Sequence, residues 1–565
     1  MSIRHHLIAL QKETFNALRQ EILDQRRFEE NRITVYRKRY LQEVKKYQKI
    51  SSKKELFLEL EKAKIIFCGD FHTLSRAQYT AVKILEHLAQ KGKKVKLALE
   101  MIPRIYEGLA NDFIQGRCDE QTFLDLIHYE KIWGFPWVHY RPIFLLAKKY
   151  GFSIVGVNTS DAGFQPLHIR DRCAAKAIYS TLQEDPNQVV FCLYGDLHLA
   201  QSHIPQKCKD LFVSNRKKTP SMVTVFQNSD EIYWKLVEKD MIDDVDVVKI
   251  KKDQYCVLSS TPWVKWQSYQ SWMEDHISIM DSMEDQEWDV HYSPDYFHVV
   301  LEYAQKIQKF LKLKPTKGES IQVYSSLDTE LTENINKYII EARKRVNPIM
   351  QDMIDIEMIE NRCLFLPEIP LIYIQDISPN KIAQKASQWV AQQLSYDFTI
   401  YDASFSLQEH FYRVAMIECV AFFGAKLINP KKKTSHVRDF ETFLKRIKHE
   451  KLSDLEKTKK KVAQCVLAHQ KKMKDAFEEQ ATFTFMPILQ KLENQVFFLS
   501  ARAIGRMTGE YLYLSVMDNS ISIPMIKEVY RSFSKEASAF QSWLKIMENF
   551  QGQKKMTQKS KDELF

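Results

Sequence analysis

Glycine is spread unevenly along this chain, and its distribution limits the folds open to it. Of 14 glycines in 565 residues, nine fall in the first 200: Gly69, Gly92, Gly108, Gly116, Gly134, Gly151, Gly156, Gly163 and Gly195. Tight strand-to-helix turns favour glycine because it enters left-handed backbone at no steric cost. The crowded segment therefore predicts a sheet with many turns, and the glycine-poor remainder predicts long helices. Single hydrophobic cores stop growing at roughly 250–300 residues, so a chain of this length is expected to form two or three domains.

Hydrophobic periodicity sharpens that division. Residues 1–62 are rich in Glu, Lys, Arg, Gln and Leu and contain no Gly or Pro. This composition predicts an N-terminal helical arm. Short apolar runs of strand length follow at Ile65–Cys68, Val95–Leu99, Ser153–Val157 and Val189–Tyr194, separated by helical stretches such as Arg76–Gln90, Glu107–Ile114 and Asp171–Leu182. β-branched runs alternating with amphipathic helices indicate an α/β domain, a parallel sheet flanked by helices, over residues 63–260. Beyond Pro205 the period shifts toward two in Met222–Gln227, Glu231–Val237, Asp246–Ile250 and Tyr255–Ser259, which predicts antiparallel strands completing the sheet. Residues 261–290, tryptophan-rich and then acidic, are expected to be a linker. Residues 291–550 are expected to be mainly α-helical, with a hairpin over Leu364–Asp376 broken by Pro367 and Pro370, and residues 551–565 a disordered tail.

Composition excludes several classes. Lys plus Arg number 82 against 72 Asp plus Glu, a net charge of +10, which a solvated basic face explains. The lysine clusters Lys431–Lys433 and Lys457–Lys461 carry no interleaved aromatics, which argues against a nucleic-acid platform. Nine cysteines without a C-x-x-C pair suit reduced thiols in a cytoplasmic protein. The start, MSIRHHLIALQKETF, does not read as an export signal, and no lipid-attachment cysteine follows it. The most apolar stretch, Phe411–Leu427, carries Arg413, Glu418 and Lys426 and is short for a membrane span of roughly 20 residues, so a buried helix is expected.

In a doubly wound sheet, ligands sit beyond the carboxyl ends of the strands. The first run ends in Gly69-Asp70-Phe71-His72, the second in Glu100, the third in Asn158 and the fourth in Gly195-Asp196-Leu197-His198. A G-D-x-H sequence thus occurs twice, 198 − 72 = 126 residues apart. The set predicts one polar pocket around His72, Glu100 and His198, which are suitable ligands for a divalent Fe, Mn, Zn or Co ion. Asp70 and Asp196 are candidates for holding a ligand histidine, for acting as general base, or simply for capping the next helix. Arg141 and Arg170 could bind an anionic ligand or pair with Asp171. Trp133 and Trp137 are expected in the core.

Taken together, these motifs resemble the ChaN-like haem-binding domain of the Tiki and erythromycin-esterase superfamily. The resemblance covers about residues 55–240. It rests on the two G-x-x-H turns, on Glu100-Met101, on the passage from Trp133 to Tyr140-Arg141-Pro142, on Val157-Asn158 and on Arg170-Asp171. The family's first motif usually reads G-E-x-H, and Asp70 shortens that carboxylate by one methylene. The resemblance implies a domain that binds haem or iron, with metal-dependent hydrolysis as the alternative activity using the same cluster. For haem, Tyr79, Tyr140 and Tyr194 join the histidines as candidate axial ligands, and Tyr140, Arg141, Asn158, Arg170, Asp171 and Tyr194 form the expected ligand-binding set. The expected partner is haem or a small molecule, with the helical C-terminal region left for a homo-oligomer or protein contact.

Overall fold

The computed structural model describes residues 3–25, 31–159, 165–270, 272–273, 296–316, 321–325, 354, 356–357, 363–367, 370–374, 378–449, 452–517 and 519–551. Most of the expected linker and the tail from residue 552 lie outside the described residues. Contacts divide the chain into two compact units, residues 15–273 and residues 274–564 together with 1–14.

The first unit runs, in chain order, through α1 (Ile3–Gln25, from Phe15 onward), α2 (Asn31–Val44), β1 (Lys49–Ser51), α3 (Lys53–Lys62), β2 (Ile65–Asp70), α4 (Ser75–Gln90), β3 (Val95–Pro103), α5 (Glu107–Ile114), α6 (Glu120–Leu126), α7 (Tyr129–Ile132), α8 (Trp137–Tyr150), β4 (Ser153–Asn158), α9 (Leu167–Glu184), β5 (Val189–Gly195), α10 (Ile204–Ser214), β6 (Met222–Gln227), α11 (Asp230–Glu238), β7 (Val247–Lys251) and β8 (Gln254–Val257). Its eight strands form one sheet in the order β1-β7-β8-β6-β2-β5-β3-β4. From β8 to β4 all neighbours are parallel, while β7 is antiparallel to β8 and β1 to β7. Successive side chains of a strand point to opposite faces, and β2 shows the consequence. Ile66 and Cys68 enter a core with α3, α4 and α8, and Ile65 and Phe67 enter a core with α9 and α10. Both faces are covered, which is why these runs read as continuously apolar rather than alternating.

The topology sets up the site. Strands β2 and β5 are parallel neighbours with Gly69 opposite Tyr194 and Asp70 opposite Gly195, and β5 also pairs with β3. The first, fourth and second apolar runs therefore end side by side.

Two expectations for the later strands fail. Glu231–Val237 is not a strand but most of helix α11. Ser229 caps it, its side chain accepting from the Ile232 amide at 3.3 Å, and Asp230 and Glu231 occupy the first turn, where carboxylates favour the helix dipole. Ile232, Tyr233 and Leu236 form its buried stripe. Strand β6, expected to be antiparallel, runs parallel to β2 and β8, because α10 carries the chain back from β5 before β6 begins.

The second unit is mainly helical. The proline-broken hairpin forms as Cys363–Leu366 and Leu371–Ile374, and a third strand, Gln322–Ser325, joins it in parallel. The apolar helix Leu407–Ile428 is almost wholly buried. Its charges are each matched within the unit: Arg413 with Glu409 at 3.0 Å, Glu418 with Arg506 at 2.6 Å and Lys426 with Glu510 at 2.9 Å. Buried charges persist only when paired in this way. Among the described residues no helix is long and apolar enough to cross a membrane.

Candidate functional site

The site is built on the strand ends. Asp70 closes β2 and is 4% exposed. Its Oδ2 lies 2.9 Å from His72 Nδ1 and accepts the Tyr140 hydroxyl at 2.7 Å, while Gln78 Nε2 donates to Oδ1 at 2.5 Å. Asp70 does not cap α4, whose N-cap is Leu74 without a side-chain bond. It instead fixes one face of the His72 ring and leaves Nε2 on the other. Burial works against the charged imidazole, but the adjoining Asp70 carboxylate, with help from Glu100, holds the His72 pKa above its ordinary value.

Glu100 follows on β3. Its Oε2 accepts the Gly195 amide at 2.6 Å and lies 3.8 Å from His72 Nε2, and its Oε1 forms an ion pair with the Arg170 guanidinium. Asn158, at the end of β4, ties this arrangement together: its amide donates to the Glu100 carbonyl at 2.9 Å and its Oδ1 accepts from Arg170 Nε at 3.2 Å. Gly195 is required here by close approach. A Cβ at that position would stand 3.3 Å from His72 Nε2 and 3.4 Å from Glu100 Oε2, filling the space in front of the imidazole.

His198 belongs to a second cluster. Its Nδ1 is 2.5 Å from Oδ1 of Asp171, a buried carboxylate on α9 whose Oδ2 accepts the Tyr36 hydroxyl at 2.8 Å and lies 3.5 Å from His203 Nδ1. Tyr36 stacks on His203 with ring centroids 3.8 Å apart, and Tyr194 meets His198 edge-on at 4.9 Å. Burial opposes the Asp171 charge, but hydrogen bonds from His198, His203 and Tyr36 more than offset it and hold the carboxyl well below its ordinary range. Asp196 sits between the clusters, its carboxylate packed against Gly69, where a Cβ would collide with it. Burial pushes its pKa up to about 7, with Lys265 opposing and Asp70 reinforcing the shift.

His72 thus approaches Glu100 as the strand ends foretold, whereas His198 is drawn to Asp171. No hydrogen bond or ion pair among the described residues joins His198 to Glu100, whose oxygens are taken by Arg170 and Gly195. Nor do three His, Cys, Asp or Glu side chains among the described residues stand together so as to hold a metal ion. The expected metal set His72, Glu100 and His198 is divided because each histidine has its own carboxylate partner.

The ends of β2, β3 and β5 open into a cavity of about 770 Å³. Asp70, His72, Glu100, Arg170, Asp196 and His198 line its polar side, and Phe71, Trp133, Phe135, Trp234, Trp266 and Tyr269 its apolar walls. Trp133 and Phe135 flank His72 at 4.7 Å each, so Trp133 is both core and wall. Tyr140, Asn158, Asp171 and Tyr194 stand behind the lining as supports. Two expected residues fall away. Arg141 is exposed and paired with Glu120 at 2.6 Å, and Tyr79 lies 40% exposed between Arg76 and Lys83. The sequence reading missed Tyr36, Gln78 and Lys265, and also Arg19 and Arg37 on the cavity lining. The only local signal is that Gln78 lies eight residues beyond Asp70, on the first turns of the helix that follows it.

Comparison with known proteins bears on the first unit. Residues 56–168 match the family model described as haem-binding uptake, Tiki superfamily, ChaN. A search of solved structures returns "Cofacial heme binding to ChaN of Campylobacter jejuni", 16% identical, covering 32% of this chain and 87% of that one, with a TM-score of 0.26. No curated protein matches the chain. The match ends before the second G-D-x-H turn, so His198 is placed by the fold rather than by the family model. Residues 56–168, which contain the first G-D-x-H turn, Glu100-Met101 and the Trp133–Pro142 passage, are thus the part of this chain that is similar to the haem-binding uptake, Tiki superfamily, ChaN family.

Proposed function

We propose that the α/β unit binds haem in this cavity, with His72 as the axial donor through Nε2. The observation that carries the reading is the state of His72. Its Nδ1 is engaged by Asp70, its side chain is 23% exposed, and the missing side chain of Gly195 keeps the space before Nε2 open. A carboxylate on the far nitrogen of a ligand histidine fixes the ring and raises its basicity. The cavity volume lies in the roughly 300–1,000 Å³ range of small-molecule sites, and walls of Trp133, Phe135, Trp266 and Tyr269 suit a flat aromatic ligand. When bound, haem would supply the redox and ligand-exchange chemistry of its iron, and the protein would hold, orient and partly desolvate it.

Titration of the purified chain with hemin, followed in the Soret band, tests this. Wild type is expected to give a saturable shifted band at one haem per chain, and His72→Ala to lose the shift with at least a tenfold weaker affinity. An identical spectrum from both would remove the cavity as the haem site.

A second reading, hydrolysis of a small substrate by water that His72 activates, is supported by the same Asp70–His72 pair, since a base held by a carboxylate is what general-base catalysis needs. It predicts that the chain cleaves chromogenic esters at least 100-fold faster than His72→Gln does; equal rates would rule out this role for His72.

A further inference from the structure

We infer that residues 261–272 roof the ligand site and that Trp266 and Tyr269 recognise the flat ring system of the ligand itself, so that an iron-free porphyrin is a ligand as well as haem. This rests on the haem reading, in which His72 supplies the bond to iron and the roof supplies contact with the ring plane. The roof comes from outside the segment matched by the family model, residues 56–168. Residues 261–273, the tryptophan-rich start of the expected linker, follow the last strand and belong to the same compact unit. Residues 262–270 are helical. The helix sorts its side chains by face. Trp263 and Val264 are buried in the core shared with α9 and α10, whereas Trp266 and Tyr269, three residues apart and so on one face, are partly exposed and line the cavity.

Three latches hold this helix against the wall that carries His72. Asp230 of α11 accepts the Trp266 indole proton at 2.8 Å. Ser268 Oγ lies 3.1 Å from Oγ1 of Thr73, the residue after His72. Trp272 Nε1 donates to the Gly134 carbonyl at 3.0 Å, and its ring stacks on Phe135 with centroids 4.6 Å apart. Gly134 stands between Trp133 and Phe135, the two rings that flank His72. Trp266 and Tyr269 each meet Phe71 edge-on, at 6.2 and 6.3 Å. Aromatic contacts therefore run without a break from His72 through Phe135 and Trp272 to Tyr269.

The chemistry of these rings limits what they can read. Aromatic side chains gain from contact with another flat ring beyond the apolar area they cover, and that gain does not depend on a metal at the ring's centre. An isolated metal ion would gain nothing from them, and among the described residues no three His, Cys, Asp or Glu side chains stand together to hold one.

The decisive comparison uses hemin and iron-free protoporphyrin as probes on the full chain. Wild type is set beside Trp266→Leu/Tyr269→Leu, which keeps apolar bulk but removes the rings, and Trp266→Phe/Tyr269→Phe, which keeps rings. Wild type is expected to bind protoporphyrin saturably at one per chain, read from the porphyrin fluorescence. The leucine variant is expected to bind both probes about tenfold more weakly, with the shifted Soret band of its hemin complex unchanged because His72 is untouched. The phenylalanine variant is expected to recover most of that loss. A wild type that binds hemin but not protoporphyrin overturns the roof and leaves the haem site standing, since the bond to iron would then carry recognition alone. Wild-type affinities in the leucine variant also overturn it. So does a leucine variant whose hemin complex loses the shifted band, or a phenylalanine variant as weak as the leucine one, because the helix would then be shaping the pocket rather than presenting rings. If wild type binds neither probe, the haem reading falls, and the roof with it.

Discussion

Replacing Asp171 by alanine is expected to lower the stability of the α/β unit by about 3–5 kcal/mol, the range seen when one member of a buried charged network is removed. Asp171 is fully buried, and four groups depend on it: His198 at 2.5 Å, Tyr36 at 2.8 Å, His203 at 3.5 Å and Lys207 at 3.9 Å. Without the carboxylate, a tyrosine hydroxyl and two imidazoles are left in the interior with unmet hydrogen bonds, and each such group costs roughly 1–3 kcal/mol. The sign with pH follows from the direction of the Asp171 shift. Because folding lowers its pKa, the stabilisation is present above the unfolded value near 3.8 and is lost as pH falls through the folded one. Hydrogen exchange of peptides spanning α2 and residues 196–204, read against urea, should show both segments opening at lower denaturant in Asp171→Ala. A difference under 1 kcal/mol in either segment would mean that this network is not what holds the arm and His198 in place.

That network also marks where sequence reading stops. The strand ends were legible because the apolar runs are continuous and each ends in a polar residue, so Asp70, Glu100, Asn158 and Asp196 could be set on one rim without knowing the strand order. A common pocket for the paired G-D-x-H turns needs the first and fourth runs near each other, and β2 and β5 are neighbours. Partnership within the rim was not legible. His198 and Glu100 are both at strand ends, yet His198 turns to Asp171 on α9, and Tyr36 reaches the same carboxylate across 135 residues of sequence. No local pattern encodes a contact of that kind, since it depends on which helix covers which strand end. Helix α11 was missed for a different reason. Its residues Glu231–Val237 contain Ile232, Trp234 and Leu236 at alternate positions, which imitates a strand, and the Ser229 cap with two acids behind it was the signal that the period was 3.6 instead. The shortened carboxylate at Asp70 becomes intelligible in the structure, where Gln78 and Tyr140 meet it from the helices above and hold it against His72.

Asp196 gives the second large effect, and it runs the opposite way with pH. Its carboxyl is 8% exposed, packs against Gly69, and has one oxygen with no hydrogen-bond partner, so the interior favours the neutral acid. Folding raises its pKa from 3.8 to about 7. A gap of that size corresponds to roughly 4 kcal/mol at most, at about 1.4 kcal/mol for each pH unit. The stabilisation is fully present below the unfolded value and is lost as pH rises through about 7. Asparagine has nearly the shape of the protonated acid but cannot ionise. Asp196→Asn is therefore expected to match wild type below about pH 3.8 and to exceed it progressively between about pH 4 and 7, by up to about 4 kcal/mol, with no further gain above that. His72, whose raised pKa slopes stability in the same direction, is present in both proteins, so the difference between their urea midpoints isolates the carboxyl. Parallel curves across that interval would show that Asp196 is ionised in the fold throughout, with Lys265 rather than burial deciding its charge.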